Sequence, residues 1–174
     1  NYPINPAESV ALVDIGASAL KVVVVQKGIP VFTKDTAVGG RNLTAEIQKN
    51  LNLSYVDAET LKVSGGRGGT TPQEVNDLLV AMSENFATEV KRALDFYNAS
   101  AVGAPIAFAL IGGGSARIPG LTGVIEEAIG LPTQLMNPFN AISYDPAIFT
   151  QEYLANIAPL AAIPIGLALR AGTK

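Results

Sequence analysis

The run Gly112-Gly113-Gly114-Ser115-Ala116-Arg117-Ile118-Pro119-Gly120 combines residue types suited to a flat or anionic ligand. Glycine has no Cβ to hold a ligand away and takes positive φ freely. A helix starting just beyond such a turn points unpaired N–H groups at whatever sits there. Arg117 would add a planar cation that stacks on an aromatic base or pairs with phosphate, and Ser115 a hydroxyl. The same run also fits a tight strand-to-helix turn without a ligand. In Asp14-Ile15-Gly16-Ala17-Ser18 a carboxylate stands beside small residues. Such a carboxylate can hold Mg²⁺, usually through water, while successive backbone N–H groups face phosphate oxygens. Aspartate is equally an ordinary turn former. Gly39-Gly40 is another small-residue turn. Glu59 and Lys62 fall on one helix face, either as a surface ion pair of little energetic weight or as partners for a ribose.

These groups need elements to position them. Residues 10–13 read as a short apolar strand, 20–26 as a Val-rich strand, and Lys27-Gly28 as a hairpin turn into a third strand over 29–38. The spacing of Leu43, Ile47 and Leu51 predicts a helix over 43–51, and 56–63 reads as a second one. Ser64-Gly65-Gly66-Arg67-Gly68-Gly69 reads as a flexible link, with an anion-binding nest as the alternative. Thr71-Pro72-Gln73-Glu74 is a helix start, with Thr71 at the cap, Pro72 at the first helical position and Glu74 in a capping box. That helix runs to about Tyr97 with a stripe of Val75, Leu78, Leu79, Met82, Phe86, Val90, Leu94 and Tyr97 facing the core. A strand over 106–111, a helix over 121–129, a strand over 133–135 and a helix over 157–171 complete the order. Strands alternating with helices late in the chain imply parallel pairing there. The prediction is an α/β fold with a mixed five-stranded sheet: an antiparallel meander of three strands plus parallel strands.

Composition removes several function classes. The 174 residues are 48% apolar and 16% charged, and the net charge is −3. That balance fits a compact domain and does not favour nucleic acid or an anionic membrane as partner. The chain has no cysteine and no histidine. Disulfides, thiol nucleophiles, Ser-His-Asp catalysis and most zinc sites drop out together. A metal would be a hard, oxygen-ligated ion such as Mg²⁺. Neither a Walker A pattern nor Gly-x-Gly-x-x-Gly is present. The longest uncharged run, 153–169, contains Pro159, Pro164 and Asn156 and is shorter than the ~20 residues of a membrane span. The start of the chain has no signal-peptide pattern. The expectation is a cytoplasmic protein without direct membrane insertion.

Taken in order, Asp14-Ile15-Gly16, Gly39-Gly40, Glu59-x-x-Lys62 and Gly113-Gly114-Ser115-x-Arg117-Ile118-Pro119 resemble the second half of the actin-like ATPase superfamily, which includes heat-shock chaperones, FtsA and MreB. Arg92-Ala93-Leu94-Asp95-Phe96-Tyr97, Asn137-Pro138-Phe139 and Gly166-Leu167-Ala168-Leu169-Arg170 resemble the PilM family of type IV pilus assembly. The resemblance covers nearly the whole chain after residue 9. It implies an RNase H-like lobe: 1–8 as a lead-in, 9–40 and 71–174 as the core, and 41–70 as a reduced, helical inserted subdomain. It also implies ATP or ADP with Mg²⁺ between two lobes. Asp14 would organise the Mg²⁺ shell through water, and Gly16, Ala17, Ser18, Gly39 and Gly40 would border the phosphates. Glu59 and Lys62 would hold the ribose, and Gly113, Gly114, Ser115 and Arg117 the adenine. The helix holding Gly166 resembles the one that hinges the lobes.

The family usually carries glycines and then Thr in its first loop; here Ala17, Ser18 and Ala19 stand there, which implies little turnover. The family's other phosphate loop and its water-positioning residue belong to the preceding half, so this chain is expected to form half of a cleft, inactive alone. The implied role is a cytoplasmic scaffold docking the tail of a PilN-like inner-membrane protein, with nucleotide as a conformational switch. A small-molecule kinase of the same superfamily, or a nucleotide-independent lobe working by self-association, fits the same residues.

Overall fold

In the computed structural model, residues 2, 5, 7–64, 73–100 and 103–171 are described. Strands β1 (Ser9–Ile15) and β2 (Leu20–Gln26) are dense in aliphatic residues and pair antiparallel across a turn at 16–19. Lys27 and Gly28 both take positive φ, 52° and 77°, as a two-residue hairpin turn requires. They lead into β3 (Ile29–Thr36), which pairs antiparallel with β2. Helices α1 (Gly40–Leu51), α2 (Tyr55–Ser64) and α3 (Gln73–Ala99) follow. Strand β4 (Ile106–Gly112) then pairs parallel with β1, a single 3₁₀ turn spans Gly114–Arg117, and α4 (Leu121–Ile129) leads to β5 (Thr133–Leu135), parallel to β4. Helix α5 (Gln151–Ala171) ends the described chain. The sheet order is β3-β2-β1-β4-β5, the expected meander joined to parallel strands.

The pleat divides the sheet into two unlike faces. Cross-strand partners share a face, so Ala11, Val13 and Ile15 stand with Val24, Val22 and Leu20 and with Ala109 and Ile111. All are buried, and they pack with Phe86, Val90 and Leu94 of α3, Leu121 and Ile125 of α4, and Leu43 and Ile47 of α1. The stripe expected on α3 is the one that packs, with Leu78 and Met82 at its half-buried margin. Tyr97 closes the far end. Its hydroxyl donates to the Ala104 carbonyl at 2.9 Å and meets Ser9 Oγ at 3.3 Å, joining α3 to the starts of β4 and β1.

The opposite face carries Val10, Leu12 and Asp14 beside Val25, Val23 and Lys21. Helix α5 lies on it through buried Leu154, Ala158 and Ala161. This helix starts six residues before the expected 157, because the Thr150 hydroxyl and carbonyl accept the Tyr153 and Leu154 N–H groups and cap an earlier turn. Its 21 residues remove the length argument against a span. Gln151–Arg170, with mean hydropathy 1.4, is long and apolar enough to cross a membrane by length and composition. Asp14 lies inside β1 rather than in the turn, and the Gly39-Gly40 pair is the cap and first residue of α1. The Ser64–Gly69 link falls outside the described residues from Gly65 onward, as do Thr71 and Pro72 of the expected helix start.

Candidate functional site

Parallel neighbours β1 and β4 both point their C-termini to the same end of the sheet, so the loops that follow them lie side by side. The Gly16 carbonyl is where they meet. It accepts the Gly40 N–H at 3.0 Å and the Ser115 hydroxyl at 3.3 Å, joining the β1–β2 turn, the start of α1 and the glycine turn after β4. Arg41 N–H donates to the Ala17 carbonyl at 2.8 Å, and Gly16 N–H to the Ala19 carbonyl at 2.9 Å. These joints work only with glycine. A Cβ on Gly40 would collide with the Ser115 hydroxyl, and one on Gly39 would overlap the Ala17 carbonyl. Gly113 has φ +91°, and its Cβ would run into the Ile15 carbonyl and the Asp14 carboxylate.

The joint therefore brings Gly16, Ala17, Gly39, Gly40, Gly113 and Ser115 together beside Asp14. Asp14 is half-buried beside Gly113; burial pushes its carboxyl above the usual 3.8, and the Lys21 ammonium offsets only part of that. Ser115 is 3% exposed and its hydroxyl is spent on Gly16. Gly40 and Gly16 have their N–H groups engaged inside the joint, which leaves Ala17 and Ser18 as the exposed residues of the turn.

Glu59 and Lys62 form an ion pair at 2.6 Å, not on the surface: Lys62 is 5% exposed. Its ammonium also donates to Thr44 Oγ1 at 3.0 Å and to the Gly40 carbonyl at 3.3 Å. Burying an ammonium is costly unless it is paired and hydrogen-bonded, and here it is both. Desolvation raises the Glu59 carboxyl, but hydrogen bonds from Lys62 and Thr44, the Lys62 charge and a hydrogen bond from Tyr55 outweigh it, and the net position is below the usual 4.5. Thr44 carries no sequence signal of its own beyond standing one helical turn after Gly40.

A cleft of about 690 Å³ opens between these elements, lined by Glu59 and Val63 of α2, Arg117 and Pro119 beyond the glycine turn, Leu135 at the end of β5, and Asn156 and Pro159 of α5. Its volume is in the range of small-molecule sites. The α5 wall was not foreseen from sequence; prolines inside an otherwise apolar helix were its only signal. Pro159 also ties that wall to the glycine turn, since its carbonyl accepts the Gly113 N–H at 2.8 Å. Among the described residues no three His, Cys, Asp or Glu side chains gather to hold a metal. Asp14 alone is suited to an ion that arrives with its other ligands, as Mg²⁺ does on a polyphosphate.

The profile of the family described as "Type IV pilus assembly protein PilM" matches residues 4–172. The chain belongs to the PilM family. Among solved structures, a PilM–PilN type IV pilus biogenesis complex matches with a TM-score of 0.81 and 27% identity, over 95% of this chain and 46% of that one. The ethanolamine utilization protein EutJ from Carboxydothermus hydrogenoformans matches at 0.65 and 22%, over 93% and 49%. An MreB of Spiroplasma citri bound to AMPPNP matches at 0.57 and 14%, over 97% and 57%. The last two show the fold alone. This PilM-family chain has the actin-like ATPase fold and spans less than half the length of the matched chain of that complex.

Proposed function

We propose that this chain is one lobe of a PilM-type scaffold for type IV pilus assembly and forms one wall of an ATP/Mg²⁺ site. The observation that carries the reading is the joint at Gly16, where the expected phosphate turn, α1 and the glycine turn meet, together with the cleft between α2, Arg117 and α5, whose volume is in the small-molecule range. Arg117 and Pro119 would flank the adenine. Glu59 would face the ribose with Lys62 behind it, and the backbone of the exposed residues Ala17 and Ser18 would meet the phosphates. Asp14 would hold water on Mg²⁺. When bound, the ion would neutralise phosphate charge that a chain of net charge −3 does little to offset. Helices α1 and α2 would be the reduced inserted subdomain.

The turn at 16–19 lacks the Thr that the family usually carries there. The proposed use of nucleotide is therefore a switch between open and closed lobes, which requires tighter binding to the closed state. The relative solved with PilN supports a PilN-like cytoplasmic tail as the partner, with this protein on the cytoplasmic side of the inner membrane. Isothermal titration of the intact native protein with Mg-ATP should show binding, and Arg117→Ala should weaken it about tenfold, in line with loss of a charge-assisted or stacked contact of ~1.4 kcal/mol. Absence of binding by the unmutated protein would refute the nucleotide role. Capture of a synthetic PilN-type tail peptide, stronger with Mg-ATP than without, tests the scaffold role.

A further inference from the structure

The polar cluster behind the cleft wall is more ordered than a ribose contact alone requires. Thr44 is fully buried on α1 and points at α2. Its hydroxyl lies 2.5 Å from Glu59 Oε1 and 3.0 Å from the Gly40 carbonyl. It has a single proton to give. The carboxylate takes it, because a charged acceptor forms the stronger bond. Lys62 then serves both remaining acceptors, the Thr44 oxygen at 3.0 Å and the Gly40 carbonyl at 3.3 Å, and closes on Glu59 Oε1 at 2.6 Å. The Thr44 and Lys62 bonds therefore fall on one oxygen of Glu59, which lines the cleft, and Tyr55 adds a further hydrogen bond to the same carboxylate. The ammonium has no donor left for a ligand without giving up one of these bonds.

We propose that Thr44 is a positioning residue for ribose recognition: with Lys62 as an internal strut, it fixes Glu59 Oε1 so that the rest of the carboxylate reads a ribose hydroxyl. The inference rests on the nucleotide reading above. The same strut bears on Gly40, whose N–H is held by Gly16, so the ribose side and the phosphate turn share one set of bonds. A carboxylate free to swing would still bind the base and phosphates but would lose discrimination at the sugar. Fixing the acceptor is what makes a missing hydroxyl costly.

The test is titration of the intact native protein with Mg-ATP and with its 2′-deoxy and 3′-deoxy analogues. The unmutated protein should prefer ATP over at least one deoxy analogue by about 10–100-fold, as expected for a hydrogen bond to a charged group. Thr44→Val, similar in shape but without the hydroxyl, should bring that ratio within about threefold while affinity for the deoxy analogue stays put. Thr44→Ser, which keeps the hydroxyl, should retain it. An unchanged ratio in Thr44→Val, an equal loss for ATP and both analogues, or a Ser variant behaving like the Val variant would each overturn the proposal. If Thr44→Val does not fold, Glu59→Asp takes its place: it keeps the charge for Lys62 but draws the carboxylate back, and an unchanged ratio there overturns the proposal equally. Failure of the unmutated protein to bind ATP would overturn the nucleotide reading and this inference with it. Binding with equal affinity for ATP and both analogues would overturn this inference alone.

Discussion

The carboxylates of the candidate site sit in opposite electrostatic settings, and each choice has a consequence for stability. Burial of Asp14 favours its neutral form, and Lys21 compensates only in part. The folded state therefore holds the proton more tightly than the unfolded chain does, so an ionised Asp14 costs stability at neutral pH. That cost fades as pH falls through the raised value and is gone below about the unfolded 3.8. Asp14→Asn should accordingly be more stable than the unmutated protein in urea titrations at pH 7. The gain should hold until pH reaches the raised value, shrink as pH falls through it, and vanish below about 3.8. An Asn variant less stable at pH 7 would show that the Lys21 attraction exceeds the desolvation cost. Glu59 has the reverse sign: its lowered carboxyl adds stability above about 4.5, lost as pH falls through the folded value. A site kept at a cost to stability is what a ligand-binding carboxylate predicts, since a cation near Asp14 would invert the local preference.

At the scale of elements, glycines that look alike in sequence have different tasks. Gly113 is held at φ +91° against the Ile15 backbone, whereas Gly123 lies in α4 with open space around its missing Cβ. Gly113→Ala should cost about 2 kcal/mol or more through strain and collision. Gly123→Ala should add about 0.5–1 kcal/mol by favouring the helix. Chemical denaturation of the two variants checks the contrast, and a mild effect at Gly113 would mean the turn relaxes without loss. The glycine turn, the meander and the α3 stripe were legible because each rests on a local pattern: a glycine run, a hairpin signal, a helical period. The Thr44–Lys62 bond and the Pro159 carbonyl on Gly113 were not, because they join residues 18 and 46 positions apart through tertiary packing. The start of α5 was missed because Thr150 caps a turn that two interior prolines made hard to credit.

At the scale of the molecule, the distribution of apolar surface is uneven. The α3 face of the sheet is sealed, but α5 emerges from its docking site with Ile163 and Leu167 each 61% exposed. A second cavity of about 310 Å³, lined by Leu12, Asp14, Val23 and Ile163, opens beside it on the same face. Helix α5 contributes to the walls of both cavities, so whatever covers α5 also bears on the candidate nucleotide site. If a second lobe does so, ligand affinity depends on it strongly. An affinity about 100-fold weaker for the 174-residue chain alone is the expected outcome. At a Mg-ATP concentration 100 times the dissociation constant of the intact two-lobed protein, linkage stabilises the intact protein by ~2.7 kcal/mol. At the same concentration the single lobe gains only ~0.4 kcal/mol. For domains of this size that separates a shift of several degrees in Tm from one near a single degree. Thermal unfolding of both forms across a nucleotide series reads the difference directly, and equal shifts would show that this lobe binds nucleotide by itself.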